Sequence, residues 1–177
     1  IYLTVADADG MMVSLIQSNY RGMGSGMAPP GLGFILQDRG EQFVLGDATH
    51  PNAYAPGKRP FHTIIPAFLT KDGQPVMSFG VMGGNMQPQG HMQTLVRMLD
   101  HGQNPQAACD APRWRFNQGL EINVEGAMDP KTVEGLSALG HQVDVIDDSY
   151  QDFGAGQFIW RAGDPAVEGY IAASDPR

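Results

Sequence analysis

Ile1-Tyr2-Leu3-Thr4-Val5-Ala6-Asp7-Ala8-Asp9-Gly10 opens the chain as a β-strand followed by a turn. Apolar and β-branched residues run from Ile1 to Ala6. Asp-Ala-Asp-Gly then redirects the backbone into a second strand over residues 11–17. The sequence starts without an initiator Met or a polar tail, whereas free termini are usually loose and polar. A chain that opens inside a hairpin is expected to have been cut from something longer. Two routes fit: trimming, or a proteolytic maturation in which the cut itself creates the active residue.

Composition bounds what surrounds that hairpin. A chain of 177 residues can bury one substantial core, so a single domain over 1–177 is expected. No apolar run is long enough to cross a membrane, and no secretory signal is visible. A net charge of -8 argues against a nucleic-acid partner. Arg113 and Arg115 flank Trp114 without extending into a basic patch. Cys109 is the only cysteine, which excludes an internal disulfide and a paired-cysteine metal or redox site. It points to a reducing, cytoplasmic location, with the periplasm as the alternative. Twenty-three Gly and thirteen Pro predict tight turns and defined loops rather than a helical bundle.

Beyond the hairpin, residues 18–33 form a Gly- and Pro-rich loop. Residues 34–36 read as a short strand, and 37–61 as mostly loop. A second apolar hairpin spans 63–69 and 76–81 around Lys71-Asp72-Gly73. Gly83-Gly84 turns into a helix over 88–101, with Met92, Leu95, Val96 and Leu99 on one face. A short helix at 105–109, a strand at 120–125, a helix at 130–139 and a strand at 142–146 follow. Two last strands lie at 158–160 and 170–173. Hairpins first and helices inserted later predict an α+β, layered architecture of antiparallel sheet with helices on one face.

Most candidate chemistry resolves into bland readings. His50, His62, His91, His101 and His141 are scattered without ligand spacing, and each reads as a surface or hydrogen-bonded histidine; no metal site is expected. No Gly-x-Ser-x-Gly elbow occurs. Gly22-Met23-Gly24-Ser25-Gly26 is superficially like a phosphate loop, but no Lys follows and no helix opens there. Val81-Met82-Gly83-Gly84-Asn85 is more informative. Two glycines between an apolar strand and a helix leave backbone N–H groups unobstructed, a suitable cradle for a developing oxyanion.

Taken together, Ile1–Gly10, Ser18, Met23-Gly24-Ser25-Gly26, Lys58-Arg59-Pro60, Gly83-Gly84, Asp110-Ala111-Pro112-Arg113 and Ser174-Asp175-Pro176-Arg177 resemble the small subunit of γ-glutamyltransferases. These are N-terminal-nucleophile hydrolases, and the resemblance runs the whole chain in the same order. It implies a four-layer αββα sandwich from a zymogen that cleaves itself autocatalytically, without a cofactor. This chain would be the small subunit of an obligate heterodimer, completed by a large subunit from the same precursor. The small subunit's N-terminal Thr is the family nucleophile, its own α-amine the base. Ile1 registers on the second residue of the mature small subunit, so that Thr is expected just before it. Thr4, inside a strand and without a free amine, cannot replace it. At the other end, Ser-Asp-Pro-Arg in the family is followed by a short tail.

Residue by residue, the resemblance places Ser18 where a family Thr hydrogen-bonds the nucleophile, and Gly83 and Gly84 on the oxyanion glycines. His62 and Thr63 fall on two serines that hold the substrate's α-carboxylate; Thr63 keeps a hydroxyl and His62 does not. Tyr20 replaces an Asn or Glu, Arg39 a Gln, and Gln42 the Asp that binds the glutamyl α-ammonium. The loop over 43–56 is shorter than in members with a long lid. Losing an acid and gaining a guanidinium disfavours an ammonium and favours a carboxylate. The expectation is therefore an amidohydrolase of a small acidic amide, as in the oxamate amidohydrolase branch. Alternatives are a γ-glutamyl or glutathione hydrolase or transferase, a glutaryl-type cephalosporin acylase, and an inactive structural subunit.

Overall fold

The computed structural model describes residues 1–147 and 152–177. By internal packing the chain divides into two compact units, residues 1–16 with 65–177, and residues 17–64.

The larger unit begins with the expected hairpin. Strands β1 (Tyr2–Ala6) and β2 (Met12–Ile16) pair antiparallel, Tyr2 opposite Ile16 and Ala6 opposite Met12. Asp7 makes the turn, its carboxylate accepting from the N–H groups of Asp9 and Met11. A second sheet has the order β3-β4-β8-β9, from Ala67–Lys71, Gln74–Val81, Gly156–Arg161 and Tyr170–Ser174, all antiparallel.

Strand β4 explains the layering. Met77, Phe79 and Val81 point to one face and Ser78 and Gly80 to the other, and all five are buried. The first set joins Met98, Ala108, Cys109, Phe158 and Ala173 in the core beneath helices α1 (Gln87–Leu99) and α2 (Pro105–Asp110). The second faces β1: Thr4 Oγ1 hydrogen-bonds Ser78 Oγ, and a Cβ on Gly80 would lie 2.7 Å from the Tyr2 ring. Glycine at position 80 is what lets the ring lie flat on the strand. A helical layer, a sheet and a second sheet thus stack in this unit, three of the four layers of the expected sandwich.

A third sheet has the order β5-β6-β7 (Trp114–Gln118, Glu121–Glu125, Gln142–Ile146). The parallel β6-β7 pair is connected through α3 (Pro130–Ala138). Among the described residues no helix is long and apolar enough to cross a membrane.

Several expectations change. Residues 34–36 form no strand; instead Leu36 O accepts from both the N–H and the hydroxyl of Ser25, and Leu36 N–H donates to Met27 O. Strand β5 was not expected, because its residues are largely polar. Most instructive is α1, where Met92 and Leu99 are exposed while Gly90, His91, Thr94 and Met98 are buried. A Cβ on Gly90 would sit 2.7 Å from Val81 Cγ1, so the glycine selects the face that approaches β4. The polar residues there are hydrogen-bonded: Thr94 donates to Gly90 O at 2.8 Å, and Val81 N–H donates to His91 Nε2 at 2.8 Å.

Candidate functional site

Two groups of expected site residues take shape, one in each unit. In the larger unit, β4 ends at Val81 and a single 3-10 turn, Gly84–Met86, leads into α1. Gly83 and Gly84 both adopt left-handed backbone, φ 119° and 57°, which a side chain would oppose. The turn is fastened by Met82 N–H donating to Ala155 O (2.8 Å) and Met86 N–H to Gly83 O (3.0 Å). Among the described residues the N–H groups of Gly83 and Gly84 have no acceptor, and Gly83 is exposed. Two adjacent unpaired donors at a strand-to-helix turn can receive a carbonyl oxygen as it becomes an oxyanion.

Strand β1 runs toward this turn. Thr4 sits at Ser78 and Tyr2 at Gly80, so each step toward the start of β1 is a step along β4 toward Gly83. The geometry brings the N-terminal end of the hairpin to the glycine end of β4.

His91 braces the same strand from the α1 side. Burial pulls its imidazole down to about 4, so it is neutral near pH 7 and its ring nitrogen accepts from Val81. In the unfolded chain the ring protonates near pH 6.5. The native state therefore binds fewer protons, and stability should fall as pH drops from about 6.5 to 4, by about 3 kcal/mol in all. Urea midpoints between pH 7 and 4 check this. His91→Gln can accept the same bond without titrating and should flatten the slope; coincident slopes would refute the assignment.

In residues 17–64, Arg39 is only 6% exposed. Its Nε donates to Thr63 Oγ1 (3.2 Å), both Nη atoms donate to Ser18 O (3.2 Å each), and Nη1 reaches Gln37 Oε1 at 3.5 Å. Thr63 is buried beside it. Every one of these acceptors is neutral, and no ion pair among the described residues includes Arg39. Tyr20 holds an unusual positive φ of 80°, its N–H donating to Ser18 Oγ at 2.9 Å. Its ring centroid lies 6.0 Å from the Arg39 guanidinium carbon. Ser18, Tyr20, Arg39 and Thr63 thus form one cluster. Gln42 stands apart, donating weakly to Phe61 O at 3.5 Å, and His62 is exposed.

One feature was visible in sequence only as part of a resemblance. Asp110-Ala111-Pro112-Arg113 and Ser174-Asp175-Pro176-Arg177 meet in a buried network. Arg113 Nη2 pairs with Asp175 Oδ2 and Arg177 Nη1 with Asp175 Oδ1, both at 2.7 Å; Arg177 Nε and Nη2 grip Glu125. Burial alone would raise the Asp175 carboxyl, but Arg113 beside it and the hydrogen bonds from Arg177 hold it below the usual range. Burial pushes the nearby Cys109 thiol up to about 12, so it packs as an inert thiol.

The profile of the family described as Gamma-glutamyltranspeptidase matches residues 1–177, the whole chain. The chain belongs to the γ-glutamyltranspeptidase family. The crystal structure of a cephalosporin acylase from Bacillus halodurans superposes with a TM-score of 0.92 at 51% identity, over 99% of this chain and 32% of that one. The oxamate amidohydrolase proenzyme of Klebsiella pneumoniae is 36% identical over 182 residues, 100% of this chain and 34% of its own length. A γ-glutamyltranspeptidase from Pseudomonas nitroreducens, solved with L-DON, superposes at a TM-score of 0.84 and 25% identity; 99% of this chain covers 94% of that one. The fold is thus the layered α+β sandwich of N-terminal-nucleophile hydrolases. The chain spans about a third of the length of the curated relatives it matches, 29% and 34% for two of them.

Proposed function

We propose that this γ-glutamyltranspeptidase-family chain is the small subunit of an amidohydrolase for acyl amides that carry a second carboxylate and no α-ammonium, such as oxamate. The observation that carries the substrate class is Arg39, a buried guanidinium whose acceptors are all neutral. A buried charge without a counter-ion is costly, and a substrate carboxylate would supply one, with Thr63 beside it as a second donor. Gln42 and His62 are the further substrate-facing positions, and Tyr20 orders the loop that carries Ser18.

In this reading a Thr preceding Ile1 is the nucleophile. Its Oγ attacks the amide carbon while its own α-amine takes the proton. The N–H groups of Gly83 and Gly84 hold the oxyanion, the proton passes to the leaving amine, and water then cleaves the acyl ester. Ser18 keeps the hydroxyl that orients the nucleophile in this family. The course of β1 along β4 toward Gly83 supports the placement.

The partner is a large subunit from the same precursor. Leu3 faces Leu15 and Val5 faces Val13 across the hairpin, and all four are exposed, from 41% to 54%. Such an apolar sheet face calls for a cover. Residues 17–64 bury one apolar side chain, Ala53, and we read them as an excursion of a single domain over 1–177, not as a separate one.

A matched substrate series tests the assignment. Glutaryl and γ-glutamyl p-nitroanilide differ only in the α-ammonium, and valeryl p-nitroanilide lacks the distal carboxylate; oxamate is assayed by ammonia release. Oxamate or the glutaryl amide should exceed the γ-glutamyl and valeryl amides in kcat/KM by at least about tenfold. A preference for the γ-glutamyl donor would overturn the substrate class. The 51% identity to a cephalosporin acylase favours one variant, a glutaryl-type acylase, which glutaryl preference over oxamate would identify.

A further inference from the structure

We propose that Arg113, Asp175 and Gly154 form a buried positioning brace that fixes the Met82–Gly83–Gly84 turn in its donor geometry. The inference rests on the oxyanion role given to that turn above. Gly154, at φ 66°, lies against the back of the turn. A Cβ built on it would fall 1.7 Å from Met82 O and 3.4 Å from Gly83 Cα, and one built on Gly83 would fall 3.1 Å from Gly154 Cα. Two glycine backbones therefore meet with no room for a side chain between them. Next to this contact, Ala155 O accepts the Met82 N–H.

What holds residues 153–156 in place is the ion pair. Arg113 is fully buried. Its Nη1 donates to Gly154 O (3.0 Å) and Phe153 O (3.3 Å), while Nη2 donates to Cys109 O (3.2 Å) and Asp175 Oδ2 (2.7 Å). The same Asp175 oxygen accepts from Gly156 N–H at 3.1 Å, and Asp175 N–H donates back to Gly156 O at 2.9 Å. The guanidinium and carboxylate thus clamp the segment at both ends, and its middle is the surface on which the turn rests. A buried pair serving stability alone would not need to aim two donors at consecutive carbonyls behind the catalytic turn. These residues touch no reacting atom; they act through the position of Gly83 and Gly84.

The test uses the full-length protein with Gly154→Ala, Arg113→Lys and Gly119→Ala. Gly119 has a similar φ of 54° on the β5–β6 turn but open space where a Cβ would go, so it controls for left-handed strain. Lys keeps the charge beside Asp175 but cannot span the three carbonyls. Hydrogen exchange at the Met82 and Met86 amides should accelerate in Gly154→Ala and Arg113→Lys relative to wild type and Gly119→Ala. With glutaryl p-nitroanilide, kcat per folded enzyme should fall about 10- to 100-fold in the same two variants while KM stays within about threefold. Unchanged exchange at Met82 and Met86, or unchanged kcat, would overturn the brace. A wild-type enzyme inert to every amide in the series would defeat the amidase reading instead. The exchange comparison needs no substrate and would still decide whether the brace holds the turn.

Discussion

Arg39→Leu should lower kcat/KM for oxamate and glutaryl amides by about 30- to 4000-fold, the equivalent of about 2–5 kcal/mol for truncating one side of a buried charge-assisted contact. The neutral valeryl amide should lose far less. That contrast matters because Arg39 also serves the loop: removing it abandons Ser18 O and Thr63 Oγ1, which costs stability and every activity alike. Only the ratio of acidic to neutral substrate isolates carboxylate recognition. If the Arg39→Leu enzyme keeps the wild-type ratio, the guanidinium is a structural strut and the substrate class falls. Thr63→Val removes the neighbouring hydroxyl with nearly the same shape, and should move the ratio in the same direction by a smaller factor.

How far the sequence discloses such a site depends on the reach of the interactions. Strands β1, β2 and β4 were legible because their apolar and β-branched runs are local and nearly continuous. Strand β5 was not: its edge is paired by side chains from α1. Gln93 both donates to Trp114 O and accepts from Trp114 N–H, while Gln89 accepts from Phe116 N–H. A strand whose partner is a helix's glutamines leaves no period-2 apolar signal. The buried face of α1 was misread for a related reason. Gly90 permits an approach that hydrophobicity does not encode, and it brings His91 and Thr94 inward to be hydrogen-bonded there.

The site shows the same division. Gly83-Gly84 was legible because two glycines between strand and helix have one cheap explanation, a backbone that must turn left-handed with its donors free. The pairing of Arg39 with Thr63 spans 24 positions and that of Arg113 with Asp175 spans 62. Neither has a periodic signature, so the first was legible only through the family resemblance and the second required the fold. The repeated Asp, Pro and Arg in Asp110-Ala111-Pro112-Arg113 and Asp175-Pro176-Arg177 was the signal available, and its meaning is tertiary.

Gly84→Pro should abolish most turnover, with kcat down about 100- to 1000-fold, because it deletes one of the two N–H donors at the proposed oxyanion position. Proline also cannot reach φ 57°, so the loss must be separated from simple damage to the turn. Gly84→Ala supplies the separation. A Cβ there meets nothing within 4 Å, and Ala tolerates left-handed backbone at a cost of about 1–2 kcal/mol while keeping its N–H. The alanine enzyme should lose stability but retain most of kcat per folded molecule. The proline enzyme should lose kcat even where thermal melting and circular dichroism show it folded. If the two variants turn over alike, the Gly84 amide contributes nothing to the transition state. The oxyanion would then need other donors, and the strand-to-helix turn would be only the connection that its glycines make possible.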